Sequence, residues 1–420
     1  MSWMHEADLQ DEALYQTARL EERGWQQAQR RDLTRRRVLQ GLAGSGAGLL
    51  LGSLWPRRVQ GAQAAVPQEL VLKPTPPELF FDYGSNKEMR WENLYRRGYV
   101  VPNELFFVRN HTRTPRIDVA TWRLTIAGSG VAEPLELSYD DILAMPSVSV
   151  IRAVECAGNG RSFFESAYGQ KAQGTQWKLG AIGVAEWTGV QLSQVLNRAG
   201  LKRTAKDVMP EGLDDLKVRR PMSITKALAE DTLLAYAMNG EPLPPDHGFP
   251  LRVLAPGWIG VANIKWVGRL EVSEQALFSP WNMETYVLIG PDYQPLPPAK
   301  GPALSFQNLK SAVELAWEAQ LRAGPQLVRG RSWSPFGRIA QVEYSLDHGA
   351  TWQPARLREP NMAGAWVRWD FAWEARPGRY TVRIRATDAA GHVQPDRVPW
   401  NEQGYLYHAV VDHPVTVTGG

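Results

Sequence analysis

The 420-residue chain contains one cysteine, Cys156, in the run Val-Glu-Cys-Ala-Gly-Asn-Gly-Arg at positions 154–161. Since it has no second cysteine to pair with, it can be a buried apolar residue, a nucleophile or a metal ligand. Gly158 and Gly160 would let the backbone approach a ligand closely. Arg161 would favour the thiolate, which is a soft donor for metals. Most single cysteines are inert core residues, but these neighbours favour a metal ligand.

Four segments of the chain are polar where a simple core would be apolar. They are 107–111, the cysteine run, 211–214 and 246–266. Together they supply the cationic or basic side chains Arg109, Arg161, His247, Arg252 and Lys265. Taken singly, each could be a surface ion pair or a satisfied buried histidine. As a set with a soft thiolate, they predict a phosphate-bearing cofactor that holds a metal, because arginine and lysine both bind phosphate.

The composition excludes several classes of protein. The chain has 47 Lys and Arg against 44 Asp and Glu, a formal net charge of +3, and no basic stripe with interleaved aromatic residues. We therefore expect no nucleic-acid partner. The sequence has no Walker A, HExxH or CxxCH motif. A single cysteine also excludes a cysteine-ligated iron–sulfur cluster or a covalently attached haem in this chain.

Residues 1–64 are predicted to be an export segment. Arginines at 35–37 precede a weakly apolar stretch at 41–54, and Ala62-Gln63-Ala64 forms a small-x-small cleavage site. This order is typical of an export signal, and the arginine pair resembles a twin-arginine signal. The apolar stretch is about 14 residues, short for a bilayer core of ~30 Å. We therefore expect a periplasmic protein without stable membrane insertion, with an uncleaved membrane anchor as the alternative.

Two domains are predicted after the export segment. Residues 65–295 mix strand-like runs with short helical signals and read as an α+β domain without regular βαβ alternation. Strands are predicted at 104–108, 122–126, 148–154 and 251–254, and helices at 192–199 and Ile224–Leu228. A proline-rich linker at 295–300 follows. Residues 296–420 then contain about seven short alternating runs, including 351–357, 364–371 and 405–417, which favour an all-β immunoglobulin-like sandwich.

Five long motifs resemble the sulfite oxidase family of molybdopterin oxidoreductases. They are FFVRNH (106–111), ECAGNGR (155–161), GAIGVAEWTGVQLSQVL (180–196), LLAYAMNGEPLPPDHGFPLRV (233–253) and PGWIGVANIKWVGRL (256–270). The segments VEYSLDHGATW (342–352) and HVQPDRVPWN (392–401) are similar to the dimerisation domain of that family. The resemblance covers roughly residues 80–415 and implies a molybdopterin-binding domain followed by a dimerisation domain. We therefore expect a homodimer or a subunit of a heteromer.

The resemblance also implies roles for individual residues. Cys156 would be the protein ligand of molybdenum, beside the two dithiolene sulfurs of one pterin. Tyr286, five residues after Trp281, would be the active-site tyrosine, with a half-buried loop residue as the alternative. Arg109 would face the anionic substrate as well as the cofactor, which makes Arg109, Tyr286 and Cys156 the predicted catalytic residues. The residues expected to bind the pterin and its phosphate are Phe107, Val108, Arg109, Asn110, His111, Asp214, His247, Arg252, Asn263, Ile264 and Lys265.

The activity implied by the resemblance is oxygen-atom transfer that oxidises sulfite to sulfate. No segment before residue 80 resembles a haem domain, so we expect a separate c-type cytochrome to accept the electrons. Animal and plant members carry a second arginine where this chain has Gln403. This change would weaken the anion site and keeps open a sulfane dehydrogenase subunit that acts on carrier-bound sulfur. A non-catalytic exported binding protein and a nitrate reductase are further alternatives, and the export signal disfavours the latter.

Overall fold

The computed structural model describes residues 69–419, so the predicted export segment lies outside the described residues. Between residues 69 and 295 it contains thirteen strands and four short α-helices. The strands are β1 (Phe80–Tyr83), β2 (Asn86–Met89), β3 (Val108–Arg109), β4 (Leu124–Ala127), β5 (Leu135–Leu137), β6 (Val148–Glu155), β7 (Ile182–Gln191), β8 (Asp207–Gly212), β9 (Met222–Ser223), β10 (Leu233–Met238), β11 (Glu241–Pro242), β12 (Arg252–Leu254) and β13 (Val267–Ser273). The helices are α1 (Tyr139–Leu143), α2 (Phe163–Tyr168), α3 (Leu192–Arg198) and α4 (Ile224–Leu228).

Three sheets form this first part. Their strand orders are β1-β2-β3, β11-β10-β7-β6 with β12 also on β10, and β5-β4-β13-β8-β9. The only parallel pair among these strands joins β4 to β13. The helices predicted at 192–199 and 224–228 are present as α3 and α4, and the strand predicted at 148–154 is β6. The prediction for 104–108 was wrong except at its end, because the amides of Leu105 and Phe106 turn back onto the carbonyl of Pro102.

The second part is built from two further sheets. Its strands are β14 (Lys310–Val313), β15 (Ala319–Arg322), β16 (Gly324–Trp333), β17 (Ile339–Ser345), β18 (Gln353–Pro354), β19 (Arg356–Arg358), β20 (Trp366–Ala375), β21 (Gly378–Asp388) and β22 (His413–Thr418). The sheet orders are β14-β16-β20-β19 and β15-β22-β21-β17-β18. Apolar residues of both sheets share one core cluster, so the sheets pack face to face. The immunoglobulin-like assignment stays a prediction.

The run predicted as a strand at 405–417 was only partly right. Strand β22 begins at His413, and residues 401–410 form a loop that returns to the first part of the chain. Leu406 donates its amide to the carbonyl of Ala157, immediately after the cysteine. This hydrogen bond gives the loop a partner outside the sheet, which explains why its alternating pattern does not produce a longer strand.

The two parts share a continuous hydrophobic core. One cluster joins Trp91 and Phe163 of the first part to Trp333 and Trp366 of the second. The indole rings of Trp91 and Trp333 stack with centroids 6.1 Å apart. The second part therefore packs directly against the sheet that carries the cysteine. No helix among residues 69–419 is long and apolar enough to cross a membrane.

Candidate active site

The predicted site residues converge on one cavity of the first part. About 710 Å³ of space not filled by protein atoms, including the open mouth, lies where β3, the end of β6 and the loops around β12 meet. This size is typical of a cofactor site. The predicted residues that line it are Phe107, Arg109, Asn110, His111, Cys156, Asp214, His247, Arg252, Asn263, Ile264, Lys265 and Tyr286. Residues spread over 180 positions of the sequence therefore meet in one place.

Val108 is the predicted residue that does not line the cavity. Its side chain is fully buried, and its neighbours Phe107 and Arg109 both reach the cavity wall. Side chains alternate between the two faces of a strand. The alternation in β3 therefore places Val108 on the opposite face, where it pairs with Lys87 of β2. The Val108 side chain packs in the core, and only its backbone could contact a cofactor.

The cysteine lies at the turn that ends β6. Its amide donates to the carbonyl of Ala181 over 2.9 Å, and its carbonyl accepts the amide of Asn159 over 2.9 Å. A β-carbon at Gly158 would lie 2.5 Å from the guanidinium of Arg161, so the glycine leaves room for that side chain. Gly260 is required because a β-carbon there would lie 2.8 Å from the carbonyl oxygen of Glu155. The thiol is therefore held in a tightly packed loop at the cavity wall.

Arg161 supports this loop and is not among the cavity-lining residues. Its guanidinium donates to the carbonyls of Gln403 over 2.7 Å and Thr175 over 2.8 Å. It also lies over the ring of Tyr405. The structure therefore gives Arg161 a role in joining the cysteine loop to residues 401–410, and we withdraw it from the cationic set predicted to bind a phosphate.

Two cations, the buried Arg252 and the partly buried Lys265, face the cavity without an acidic partner. Arg252 donates to the carbonyls of His247 and Asn263 over 2.9 and 3.3 Å. Lys265 donates to the side-chain oxygen of Asn110 and, over 2.8 Å, to the carbonyl of Asp246. Within residues 69–419, neither forms an ion pair with a carboxylate.

Burial shifts the pKa of both cations downward. It lowers the pKa of Arg252 to about 9, and burial together with Arg252 lowers the pKa of Lys265 well below its ordinary value. A buried charge without a counter-charge is costly. An anionic ligand would remove this cost, which is the strongest local indication of what the cavity binds.

His247 carries an unsatisfied nitrogen in the same region. Its Nε2 atom is buried and has no hydrogen-bond partner among the described residues. Burial and the nearby charges of Lys73, Lys265 and Arg252 lower the pKa of the ring well below its ordinary value. The ring is therefore neutral at pH 7, and Nε2 is available to a polar group of a ligand.

The rest of this wall is formed by Asn263, Ile264 and Asp214. The side chains of Asn263 and Asp214 hydrogen-bond to backbone groups of the neighbouring loops. The side chain of Asn263 accepts the amide of Ala255 over 2.8 Å and donates to the carbonyl of Ile259 over 3.3 Å. The carboxylate of Asp214 accepts the amide of Val218 over 2.9 Å, and burial raises its pKa. These residues fix the shape of the loops, so that Ile264 and the backbone line the cavity.

Asp246 is a site residue that sequence reasoning did not select. It is buried, and its carboxylate accepts the amides of Leu72 over 3.0 Å and Lys73 over 2.7 Å and the hydroxyl of Thr114. Thr114 in turn accepts the side-chain amide of Asn110 over 2.8 Å. Asp246 thereby connects the start of the described chain to the predicted cofactor-binding residues. The run Asp-His-Gly-Phe-Pro could have indicated this role. A carboxylate next to a predicted site histidine is seldom buried unless it has hydrogen-bond partners there.

Tyr286, Arg109 and His111 form a hydrogen-bonded group at the cavity. The hydroxyl of Tyr286 lies 3.1 Å from Nε2 of His111 and 3.4 Å from Nη2 of Arg109. Tyr286 has a positive φ of 54° and stacks on Tyr405 with ring centroids 5.0 Å apart. Tyr405 was also missed, because its contact depends on the return of residues 401–410. The prediction that Tyr286 lies in the site fits this geometry better than a half-buried loop position.

The charges of this group are set by their surroundings. Burial lowers the pKa of His111 well below its ordinary value, and Arg109 and Lys265 act in the same direction. Burial raises the pKa of Tyr286, against the opposing effect of Arg109. Burial alone would lower the pKa of Arg109, but Tyr286, Cys156 and Tyr405 outweigh it, and the net shift is upward. At pH 7 the group is a cation beside two neutral hydrogen-bonding side chains.

The donor set at Cys156 fits a cofactor that brings its own metal ligands. No group of three or more His, Cys, Asp or Glu side chains that could hold a metal ion occurs in residues 69–419. A metal at Cys156 would therefore receive one soft sulfur from the protein and most of its donors from a bound cofactor. The unpaired cations and the free His247 nitrogen supply the polar contacts that such an anionic cofactor needs.

Comparisons with known proteins decide the family. Residues 111–281 match the family described as "Oxidoreductase molybdopterin binding domain", and residues 308–415 match the "Mo-co oxidoreductase dimerisation domain". The chain is 36% identical to the sulfite oxidase of Gallus gallus over 342 residues, which cover 76% of this chain and 74% of that protein. It belongs to the sulfite oxidase family of molybdopterin oxidoreductases.

Two further comparisons agree with this assignment. The chain is 35% identical to the mitochondrial sulfite oxidase of Homo sapiens over 336 residues. These residues cover 75% of this chain and 61% of that protein. The chain thus spans less than two thirds of the length of the human relative. The crystal structure of the sulfane dehydrogenase SoxCD from Paracoccus pantotrophus is 27% identical with a TM-score of 0.70, covering 85% of this chain and 92% of that one. The predicted family is therefore confirmed.

Proposed function

We propose that this protein is a molybdenum oxidoreductase that oxidises sulfite to sulfate. The observation that carries the proposal is a set of three cations, the buried Arg252 and the partly buried Arg109 and Lys265, around one cavity that also contains Cys156. A cavity with this charge suits both an anionic cofactor and an anionic substrate. When bound, molybdopterin would supply a metal that exchanges one oxygen atom and two electrons with the substrate.

The residues divide into a cofactor wall and a substrate wall. Cys156 would be the protein ligand of the metal, while Arg252, Lys265 and the Nε2 atom of His247 would bind the phosphate and polar edge of the pterin. Asn110, Asn263, Ile264 and the loop of Asp214 would shape the remaining wall. Phe107 packs perpendicular to Trp177 and covers the apolar side.

Arg109 and Tyr286 would orient the substrate. Arg109 attracts the anion, and the Tyr286 hydroxyl, 3.4 Å from the guanidinium, offers a second polar contact. The low pKa of His111 keeps its ring neutral, so that in one tautomer Nε2 accepts the tyrosine hydroxyl and fixes its direction. Preorganised donors of this kind stabilise developing charge on an oxyanion.

A sulfane dehydrogenase is the second candidate, favoured by the position of Gln403. Its side-chain amide donates to the carbonyl of Glu284 over 3.1 Å, and it does not line the cavity. The site therefore lacks the second arginine that the animal and plant relatives were expected to place there. A weaker anion site would suit sulfur attached to a carrier protein, and one similar solved structure is a sulfane dehydrogenase.

Export, electron transfer and assembly also belong to this proposal. We infer from residues 34–64 that the protein is exported to the periplasm by the twin-arginine route after it has folded. A separate c-type cytochrome would accept the electrons, as expected from the sequence. The match to a dimerisation domain supports a homodimer, and the likeness to SoxCD supports a heteromeric partner.

The deciding experiment measures cytochrome c reduction by purified protein with a full complement of molybdenum. Turnover with free sulfite supports the main proposal. Turnover only when carrier-bound sulfane sulfur is supplied supports the second candidate. A Gln403→Arg variant provides the matched test, since an added cation should lower KM for sulfite if Gln403 limits binding of the anion. Molybdenum-loaded protein that is inactive with both substrates would contradict both.

A further inference from the structure

The side chain of Glu155, the residue before the cysteine, is buried against the second part of the chain. Its Oε1 atom accepts the Nζ of Lys310 over 2.8 Å, and its Oε2 atom accepts the indole N–H of Trp333 over 3.1 Å. Glu155, Lys310 and Trp333 are each at most 2% exposed. Each oxygen of the carboxylate therefore has a donor from a domain whose family description mentions only dimerisation.

Lys310 and Trp333 are direct cross-strand partners on β14 and β16. Facing residues of an antiparallel pair project their side chains from the same side of the sheet at a fixed spacing of about 5 Å. The two donors thus reach one carboxylate from a rigid platform. We refer to Lys310 and Trp333 together as the clamp.

The clamp also reaches the far side of the cysteine turn. Lys310 donates to the carbonyl of Asn159 over 2.9 Å, and the side-chain amide of Asn159 donates to Oε1 of Glu155 over 2.9 Å. Asn159 itself accepts the amide of Ala181 and donates its own amide to the carbonyl of Cys156. Cys156 is therefore enclosed between two residues that one lysine holds.

We propose that Lys310 and Trp333 are positioning residues that fix the Cys156 loop, so that the second domain completes the metal site of the first. The inference rests on the proposed role of Cys156 as the metal ligand and does not depend on which sulfur compound is oxidised. A ligand loop held at both ends stays in the geometry that its cofactor requires. The clamp acts through Glu155 and Asn159 and touches neither substrate nor cofactor.

The test uses the full-length holoprotein and the variant Trp333→Phe, which removes one hydrogen-bond donor and keeps an aromatic ring. Trp369→Phe is the matched control, because the Trp369 indole makes a 3.0 Å hydrogen bond to the Ser332 hydroxyl in the same domain, away from the loop. Two quantities are measured for both variants. One is the loss of molybdenum during dialysis. The other is the sulfur shell, meaning the number and distances of the sulfur atoms around molybdenum, from X-ray absorption. Trp333→Phe should release molybdenum roughly tenfold faster than the control, since a hydrogen bond to a charged group is lost.

A stronger variant, Lys310→Met, removes the charge. Its matched control is Arg331→Met, which breaks the buried ion pair of Arg331 with Glu314 in the same sheet. We expect Lys310→Met to distort the sulfur shell and, in cofactor-free full-length chain, to speed alkylation of Cys156 beyond that in the control. The double variant Lys310→Met/Glu155→Gln removes the unpaired carboxylate and should recover stability without recovering slow alkylation.

The outcomes separate positioning from mere stability. If Trp333→Phe retains molybdenum and the wild-type sulfur shell as well as Trp369→Phe does, the proposal is overturned, whether or not Lys310→Met folds. If the clamp variants lose molybdenum faster than their controls at unchanged fold, it is supported. Absence of sulfite oxidation in the wild-type protein would contradict the proposed substrate. It would not affect the test of the clamp, because molybdenum retention and X-ray absorption are measured without substrate.

Discussion

Replacing Arg109 by methionine tests the electrostatic account of substrate binding. The guanidinium lies 3.4 Å from the Tyr286 hydroxyl at the cavity and has no carboxylate partner among residues 69–419. Methionine keeps an unbranched side chain and removes the charge. The change therefore isolates the attraction between this arginine and an anionic substrate.

The structure sets the size of the expected effect. A hydrogen bond to a charged group contributes about 1.5–3 kcal/mol, and two unit charges 4 Å apart near a protein surface attract by about 4 kcal/mol. We therefore expect kcat/KM for sulfite to fall roughly 10- to 1000-fold, mainly through KM. The free energy of unfolding should change less than substrate binding does, because the guanidinium loses hydrogen bonds to the carbonyl of Asn110 and the hydroxyl of Tyr286 but no ion pair.

The assay is steady-state reduction of cytochrome c at several sulfite concentrations, normalised to molybdenum content, with sulfate as a competing anion. Arg113→Met is the matched control, because Arg113 is 46% exposed and pairs with Asp215 over 3.2 Å outside the cavity. The control should leave kcat/KM unchanged. A fully loaded Arg109→Met enzyme whose kcat/KM and sulfate inhibition match those of the control would refute the reasoning.

Three further predictions concern Tyr286, Asp246 and Glu88. Tyr286→Phe removes the hydroxyl and keeps the stack on Tyr405, so kcat should fall by about 10- to 100-fold with stability nearly unchanged. Asp246→Asn places an amide against the backbone donors of Leu72 and Lys73, so molybdenum content and thermal stability should both fall. Glu88 is buried, and burial raises its pKa from 4.5 to about 7, so its contribution to stability is fully present below pH 4.5 and is lost as the pH rises through about 7.

Each of these predictions has its own check. Stopped-flow reduction of the enzyme reports on Tyr286→Phe, and a rate equal to wild type would remove the hydroxyl from the mechanism. Metal analysis and thermal unfolding report on Asp246→Asn, and full loading at wild-type stability would show that Asp246 does not organise the site. For Glu88→Gln, urea unfolding between pH 4.5 and 7 should lose a dependence of about 3 kcal/mol; an unchanged slope would assign that dependence to other groups.

The site was most predictable where its residues are contiguous. Phe107, Arg109, Asn110 and His111 follow one another at the end of a short strand, so one motif placed all of them at the cavity. The same contiguity misplaced the side chain of Val108, because membership of a motif does not tell which face of a strand a residue occupies. Strand alternation supplies that information once the ends of the strand are known.

Contacts between distant residues could not be read from the chain. Asp246 is held mainly by backbone amides of Leu72 and Lys73, and backbone donors leave no mark in the sequence. Tyr405 reaches Tyr286 because residues 401–410 form a loop, whereas the alternating pattern at 405–417 predicted a strand. The clamp on Glu155 depends on the register of β14 against β16, which one sequence does not determine.

The composition of the second domain predicted sheets but not its contact with the site. Its short alternating runs indicated strands, and nine strands are present between residues 310 and 418. Sequence reasoning assigned no role to Lys310. Its complete burial beside Glu155 emerges when the two domains share a core.

The central claim, that Cys156 binds molybdenum at this cavity, is tested most directly by molybdenum X-ray absorption of the purified protein and its Cys156→Ser variant. The account predicts stoichiometric molybdenum in the wild-type protein and one fewer sulfur neighbour around the metal in the variant. Folded wild-type protein whose Cys156 thiol is free and whose cavity retains no molybdenum after cofactor loading, or an identical sulfur shell in both proteins, would contradict it.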